Sequence, residues 1–332
     1  MADYYYGSAR VRALESSLIG KDRLARLLET KDTAEIYALL EEFGIPTVTD
    51  PVTGTVRREE TLLPMLQNAY LEIEELTECN EAVRIFLYPY DCNNIKAAIK
   101  CSLRDIDPGS MLFPFGAVAP ESMLEMVRTE DFSSLPEHMA QAAAEAIAAY
   151  SATKNPQQID LLLDRACYRD MLAAAKRLKN EYVEGILRAK IDLSNVVMTV
   201  RLLRMRMGEV GGALLCESLL PGGTIPETFF TGAYAEGEEF LWTRLSYGEA
   251  YPRLARAVEE SDGSLTAVER LCDDAWMEAV RAAKMIPAGP EVLVAYLIAC
   301  EYAVRNVRIL LAGREAGLPT ETIRERMRES YV

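Results

Sequence analysis

The sequence predicts an all-α protein, and three observations carry that expectation. Apolar residues recur at helical spacing through most of the 332-residue chain. After Asp192, for example, Leu193, Val196, Val197, Val200, Leu203 and Met207 form one stripe, with Asp192, Arg201 and Arg204 off it. Strand signals are nearly absent: Thr47 to Val56 is β-branched, but Pro51 and Gly54 make it a loop or small hairpin. The third observation is a polar motif that recurs on the helical background. Asp91-Cys92-Asn93-Asn94-Ile95-Lys96 is echoed by Asp192-Leu193-Ser194-Asn195-Val196-Val197. It returns as Arg305-Asn306-Val307-Arg308-Ile309-Leu310-Leu311, with its acid further upstream at Glu301.

Taken in chain order, Tyr4-Tyr5-Tyr6 supplies packing or interface aromatics. Helices are expected over 20–43 and 57–87, on either side of the Thr47–Val56 loop, and over 91–103 from the first motif. Further helices follow at 136–152 and 157–188, then along the stripe after Asp192. The last three are 264–285, 290–312 and 319–329. Pro156, Pro290 and Pro319 stand where a first helical turn begins, a place where the missing N–H has no partner to lose. An acid near the start of the Asp192 stripe and arginines near its end suit the helix dipole.

The repetition extends beyond the asparagines. Tyr168-Arg169-Asp170-Met171-Leu172-Ala173-Ala174-Ala175-Lys176 aligns with Trp276-Met277-Glu278-Ala279-Val280-Arg281-Ala282-Ala283-Lys284, which places small residues where helices approach closely. Turn-rich joints, Phe113 to Glu121 and Leu220 to Glu227, both end in Pro-Glu, a helix-start signal. Asn94, Asn195 and Asn306 stand 101 and 111 residues apart, too far for a solenoid repeat of roughly 20 to 50 residues. The expected division is therefore three small helical domains: 1–110, 111–215 and 216–332. Three copies favour a structural role, because a single functional site needs no repeating. Asp91, Asn94, Asp192, Asn195, Glu301 and Asn306 are the candidate repeat residues. An amide in a helical core satisfies local backbone groups or joins a polar network within its own bundle. Glu301 lies one turn before Arg305 and is expected to pair with it, leaving Arg308 for a neighbouring domain or a partner.

Half the chain is apolar and 26% is charged, as in ordinary soluble globular proteins. No apolar run approaches the roughly 18 to 20 residues of a membrane span; Val292 to Cys300 is followed by Glu301. The N-terminus lacks the basic and apolar regions of a secretory signal, so a cytoplasmic location is expected. A net charge of −15 argues against nucleic acid as a partner. The acids are uneven: residues 121–150 hold six against Arg128 alone, whereas 301–332 hold six arginines against five glutamates. An acidic face is either simply solvated or docks a basic partner within a Debye length of about 8 to 10 Å.

Signs of chemistry are sparse. The seven cysteines (Cys79, Cys92, Cys101, Cys167, Cys216, Cys272, Cys300) form no Cys-x-x-Cys pair and read as free, buried thiols. The single histidine, His138, reads as a surface residue without a nucleophile or a metal-ligand set around it. Gly20-Lys21-Asp22 lacks the upstream glycine and the Ser/Thr of a phosphate loop, and Gly211-Gly212 and Gly222-Gly223 read as joints. No catalytic residue, metal or cofactor is expected.

Several of these segments, in this order, resemble one family. Asn306-Val307-Arg308-Ile309-Leu310-Leu311-Ala312-Gly313-Arg314-Glu315-Ala316-Gly317-Leu318-Pro319, continuing to Arg326, resembles the closing signature of the C subunits of prokaryotic V-type (A/V-type) ATPases, whose eukaryotic counterparts are the d subunits. Tyr4-Tyr5-Tyr6-Gly7-Ser8-Ala9-Arg10-Val11-Arg12-Ala13 is similar to the family's opening, and Asp91-x-x-Asn94-Ile95-Lys96 to its first internal repeat. The resemblance spans essentially the whole chain. It implies a funnel-shaped, pseudo-threefold helical protein on the cytoplasmic face of the membrane. There it would join the central shaft to the membrane rotor ring of a rotary ATPase, without catalytic residues or a span of its own. Ala303 stands where Asp91 and Asp192 stand in the other copies, and Glu301 lies two residues before it. The alternative is a generic helical interaction adaptor.

Overall fold

The computed structural model describes residues 4–76 and 81–332, and among them every regular element is helical. The helices are α1 (Tyr4–Glu15), α2 (Lys21–Leu28), α3 (Thr33–Glu42), α4 (Arg58–Leu76), α5 (Glu81–Arg84), α6 (Tyr88–Ser102), α7 (Pro120–Thr129), α8 (Glu137–Thr153) and α9 (Gln157–Leu178). They continue as α10 (Glu181–Met205), α11 (Gly208–Ser218), α12 (Glu227–Glu236), α13 (Glu238–Ser246), α14 (Pro252–Glu260), α15 (Leu265–Val280), α16 (Pro290–Glu315) and α17 (Thr320–Arg326). The Thr47–Val56 segment is the expected small turn, closed by one antiparallel bridge between Thr49 and Val56. Cys79 and the Met1-Ala2-Asp3 start lie outside the described residues.

The helix boundaries correct the sequence expectation in a consistent way. The 20–43 helix is two, because the Asp32 side chain accepts the Glu35 N–H and starts α3 afresh. The 157–188 helix is also two. Lys179 takes a left-handed backbone (φ 53°), and Asn180 caps α10 by accepting the Val183 N–H at 2.9 Å. The stripe that begins at Leu193 is thus the second half of a longer helix, and Met207 falls beyond its end. Asp192, placed off the stripe, is completely buried. Gly211 and Gly212 sit inside α11 rather than at a joint. The Pro-Glu signals are sound: α7 starts at Pro120 and α12 at Glu227 after Pro226.

The chain forms two compact units, one from Met1–Asn80 and Arg256–Val332, the other from Glu81–Ala255. In the first, α16 is the axis. Every residue from Val292 to Cys300 is buried, and α1, α2, α3, α4 and α17 pack around it. Each fully buried Val, Leu or Ile there contributes roughly 1.5 to 3 kcal/mol relative to exposure, which accounts for a stretch of helix that is apolar on all sides. Arg12 ties α1 to the turn after α15 by donating to the carbonyls of Ala283 (2.7 Å) and Ile286 (2.9 Å). In the second unit α8 and α9 form a hairpin whose buried alanines, among them Ala142, Ala143, Ala146, Ala174 and Ala175, keep the packed faces small. Helix α6 lies against α7, α8 and α9, and α10 against α9, α11 and α12.

Candidate functional site

Each repeated asparagine is buried on a long helix and holds one residue of a chain segment further along. Asn94 on α6 donates from Nδ2 to the Phe113 carbonyl at 3.1 Å and accepts the Phe113 N–H at 2.7 Å. Asn195 on α10 does the same with Leu220, at 2.9 and 2.8 Å. Asn306 on α16 does it with Arg328, again at 2.9 and 2.8 Å. A carboxamide has the donor and acceptor of a peptide group. It therefore reproduces the two-bond exchange between paired residues of an antiparallel ladder, using a side chain in place of a strand. Two backbone polar groups that enter the core are satisfied at once. Aspartate at these positions would lose the donor, and serine would lack the second group.

The acids three residues before the first two asparagines hold the same segments a little further on. Asp91 Oδ1 accepts the Val118 N–H at 3.1 Å. Asp192 accepts the N–H of Ile225 (3.0 Å) and Thr224 (3.1 Å) and the Tyr251 hydroxyl (3.2 Å). Both joints read clamped residue, proline, any residue, glycine: Phe113-Pro114-Phe115-Gly116 and Leu220-Pro221-Gly222-Gly223. The glycine is required by proximity. A Cβ at Gly116 would come within 2.3 Å of Asp91 Oδ1, and one at Gly223 within 2.0 Å of Asp192 Oδ1. In the first joint Tyr90 packs on Phe113 and Phe115, with ring centroids 5.2 and 4.6 Å away.

The third copy keeps the amide clamp and moves its acids. Beside the clamp, the Glu329 N–H donates to Asp274 Oδ1 at 2.7 Å, so α15 supplies the carboxylate that Ala303 cannot. The adjacent Asp273 gathers the Tyr302 hydroxyl (2.9 Å), Arg305 (3.0 Å) and Arg328 (3.1 Å). The expected Glu301–Arg305 pair is therefore replaced. Arg305 goes to Asp273, which is only 15% exposed, and Glu301 accepts from Tyr70 at 3.0 Å. Arg308 makes two hydrogen bonds to Glu59 on α4, at 2.7 and 3.0 Å, a contact with the 1–110 range of the kind the sequence reading kept for it. The aligned acids Asp170 and Glu278 also part company: Asp170 is buried and accepts the His138 and Met139 N–H groups at the start of α8, while Glu278 is exposed.

Burial raises the carboxyl pKa of Asp91, Asp192 and Asp274, opposed in each case by backbone N–H donors. His138 is half-buried, and its backbone N–H donates to Asp170 at 3.1 Å. Cys92, Cys101, Cys167, Cys272 and Cys300 are buried thiols outside any disulfide, and Cys216 is an exposed one. Sequence reasoning missed Asp273, Asp274 and the clamped residues Phe113, Leu220 and Arg328. The shared Pro-x-Gly of the first two joints was the signal that would have found two of them.

A profile of the family described as ATP synthase (C/AC39) subunit matches residues 8–326. Among curated relatives, the C subunit of the V-type sodium ATPase of Enterococcus hirae is 25% identical over 338 residues, covering 99% of each chain. The C subunit of the A-type ATP synthase of Halorubrum lacusprofundi is 25% identical over 342 residues (96% of this chain, 95% of the relative). That of Methanocaldococcus jannaschii is 23% identical over 364 residues (98% and 86%).

Proposed function

This chain belongs to the ATP synthase (C/AC39) subunit family, and from that membership we propose that it is a non-catalytic connector in the central stalk of a rotary V/A-type ATPase. It would couple the shaft to the membrane rotor ring during ATP-linked proton or sodium transport, peripherally on the cytoplasmic face of the membrane. The observation that carries this is the match along residues 8–326, together with relatives whose own length is covered almost completely. No helix among the described residues is long and apolar enough to cross a membrane, which agrees with a peripheral place.

The repeats support a mechanical part. We further propose that 1–110, 111–215 and 216–332 are three related helical domains arranged as a funnel. Asn94 and Asn195 hold matching joints, and Asn306 holds its segment with the same pair of bonds. Clamps of this kind stiffen the passage from one helix to the next, and close-packed helices deform little under load. Torque passed between a narrow shaft and a wide ring needs such stiffness. The test compares membranes with and without this protein. ATP-driven ion pumping is expected to be lost without it, while the detached catalytic sector still hydrolyses ATP. A catalytic sector that turns over only when this chain is added back would replace the connector with an activator.

A further inference from the structure

The two matching joints differ in how their acids are bonded. Asp192 uses both carboxylate oxygens, against Thr224, Ile225 and Tyr251. Asp91 uses one: Oδ1 accepts from Val118, while Oδ2 is buried with no hydrogen-bond partner. Asp91 is 0% exposed, and the backbone of Gly116 lies directly against it. An ionised carboxylate in that position keeps a large part of its charge unsolvated, which is expensive. We propose that Asp91 is a proton-operated latch on the Phe113–Val118 joint: as a neutral acid it stays buried and holds the joint closed, and loss of its proton loosens it.

The surroundings agree. Burial pushes the Asp91 carboxyl up to about 7, with the N–H groups of Val118 and Ala117 and the charge of Arg84 on α5 pulling the other way. Helices α7, α8 and α9 pack on α6, and among the described residues none of them adds a charged side chain that shifts Asp91. When the joint opens, the acid meets water and returns toward its ordinary value of 3.8. The closed form therefore binds the proton more tightly. Its advantage is complete below pH about 4, declines as pH rises, and is exhausted above about 7. By this linkage the joint opens about ten times more often at pH 8 than at pH 6. The latch is a property of the chain itself, whichever partners it meets.

Hydrogen exchange of the full chain at pH 6 and pH 8, corrected for intrinsic exchange, tests this. Protection of the Phe113–Val118 amides is expected to be about tenfold higher at pH 6, with a smaller change at Leu220–Ile225, where the acid is fully bonded. Asp91→Asn keeps the Oδ1 acceptor and removes the titration, so the pH effect at the first joint should vanish. Equal protection at both pH values, or an unchanged pH effect in D91N, would overturn the proposal. Infrared titration of the unmutated protein gives an independent check. A protonated carboxyl band that D91N would remove should fade as pH rises through about 7, and its absence at pH 6 would also overturn the latch.

Discussion

At the scale of single residues, each clamp rests on an amide that no other short side chain replaces. Asn195→Ala removes two buried hydrogen bonds and strands the N–H and C=O of Leu220. A stability loss of roughly 2 to 4 kcal/mol is expected, read from the denaturation midpoint. Asn195→Asp keeps the shape but turns an acceptor toward the Leu220 carbonyl, so it should cost at least as much. A carboxylate tolerated there would mean that the amide is incidental. Gly223→Ala brings a methyl within 2.0 Å of Asp192 Oδ1, and the displaced carboxylate should cost about 1 to 3 kcal/mol. The asparagines and their acids were legible because the motif is local in sequence. Of the clamped residues, Phe113 and Leu220 head the two Pro-x-Gly joints, whereas Arg328 carries no such mark, since the partner of a buried amide is chosen by the fold rather than by spacing.

At the scale of elements, helix ends and inter-helix pairs decide the architecture. Asn180→Ala should cost roughly 1 kcal/mol by leaving the start of α10 uncapped, seen as a lower melting temperature. The pairs in the first unit differ in consequence. Arg308 and Glu59 are 38% and 45% exposed, so Glu59→Gln should change stability by less than about 1 kcal/mol. Asp273→Asn takes the charge from an acceptor shared by Tyr302, Arg305 and Arg328, and a loss of about 2 to 4 kcal/mol is expected. Equal effects from the two substitutions, measured side by side, would refute this ranking. The helical stretches were readable from periodicity, yet the breaks at Asp32 and Asn180 were passed over. Apolar spacing continues across both breaks, and only the capping side chain reveals that the backbone restarts.

At the scale of the molecule, the governing quantity is charge. A chain of net −15 is held most readily by basic surfaces, so binding to its partners in the rotary complex should weaken as salt rises. Co-purification with the detached complex across a salt series measures this. Affinity that stays flat or increases with salt would assign the contact to apolar burial instead.

The sequence by itself determined the helical class, the threefold recurrence of an asparagine and the family to which the chain belongs. All three are written in local patterns: apolar period, motif order and turn residues. Only the tertiary structure decided what the pattern is for. It brought each asparagine to a backbone 19 to 25 residues away and chose Asp273 over Glu301 for Arg305. It also left one oxygen of Asp91 without a partner. The reason is physical. Hydrogen bonds and ion pairs gain most where water is excluded, and which groups meet in such places is set by packing between helices that are far apart along the chain.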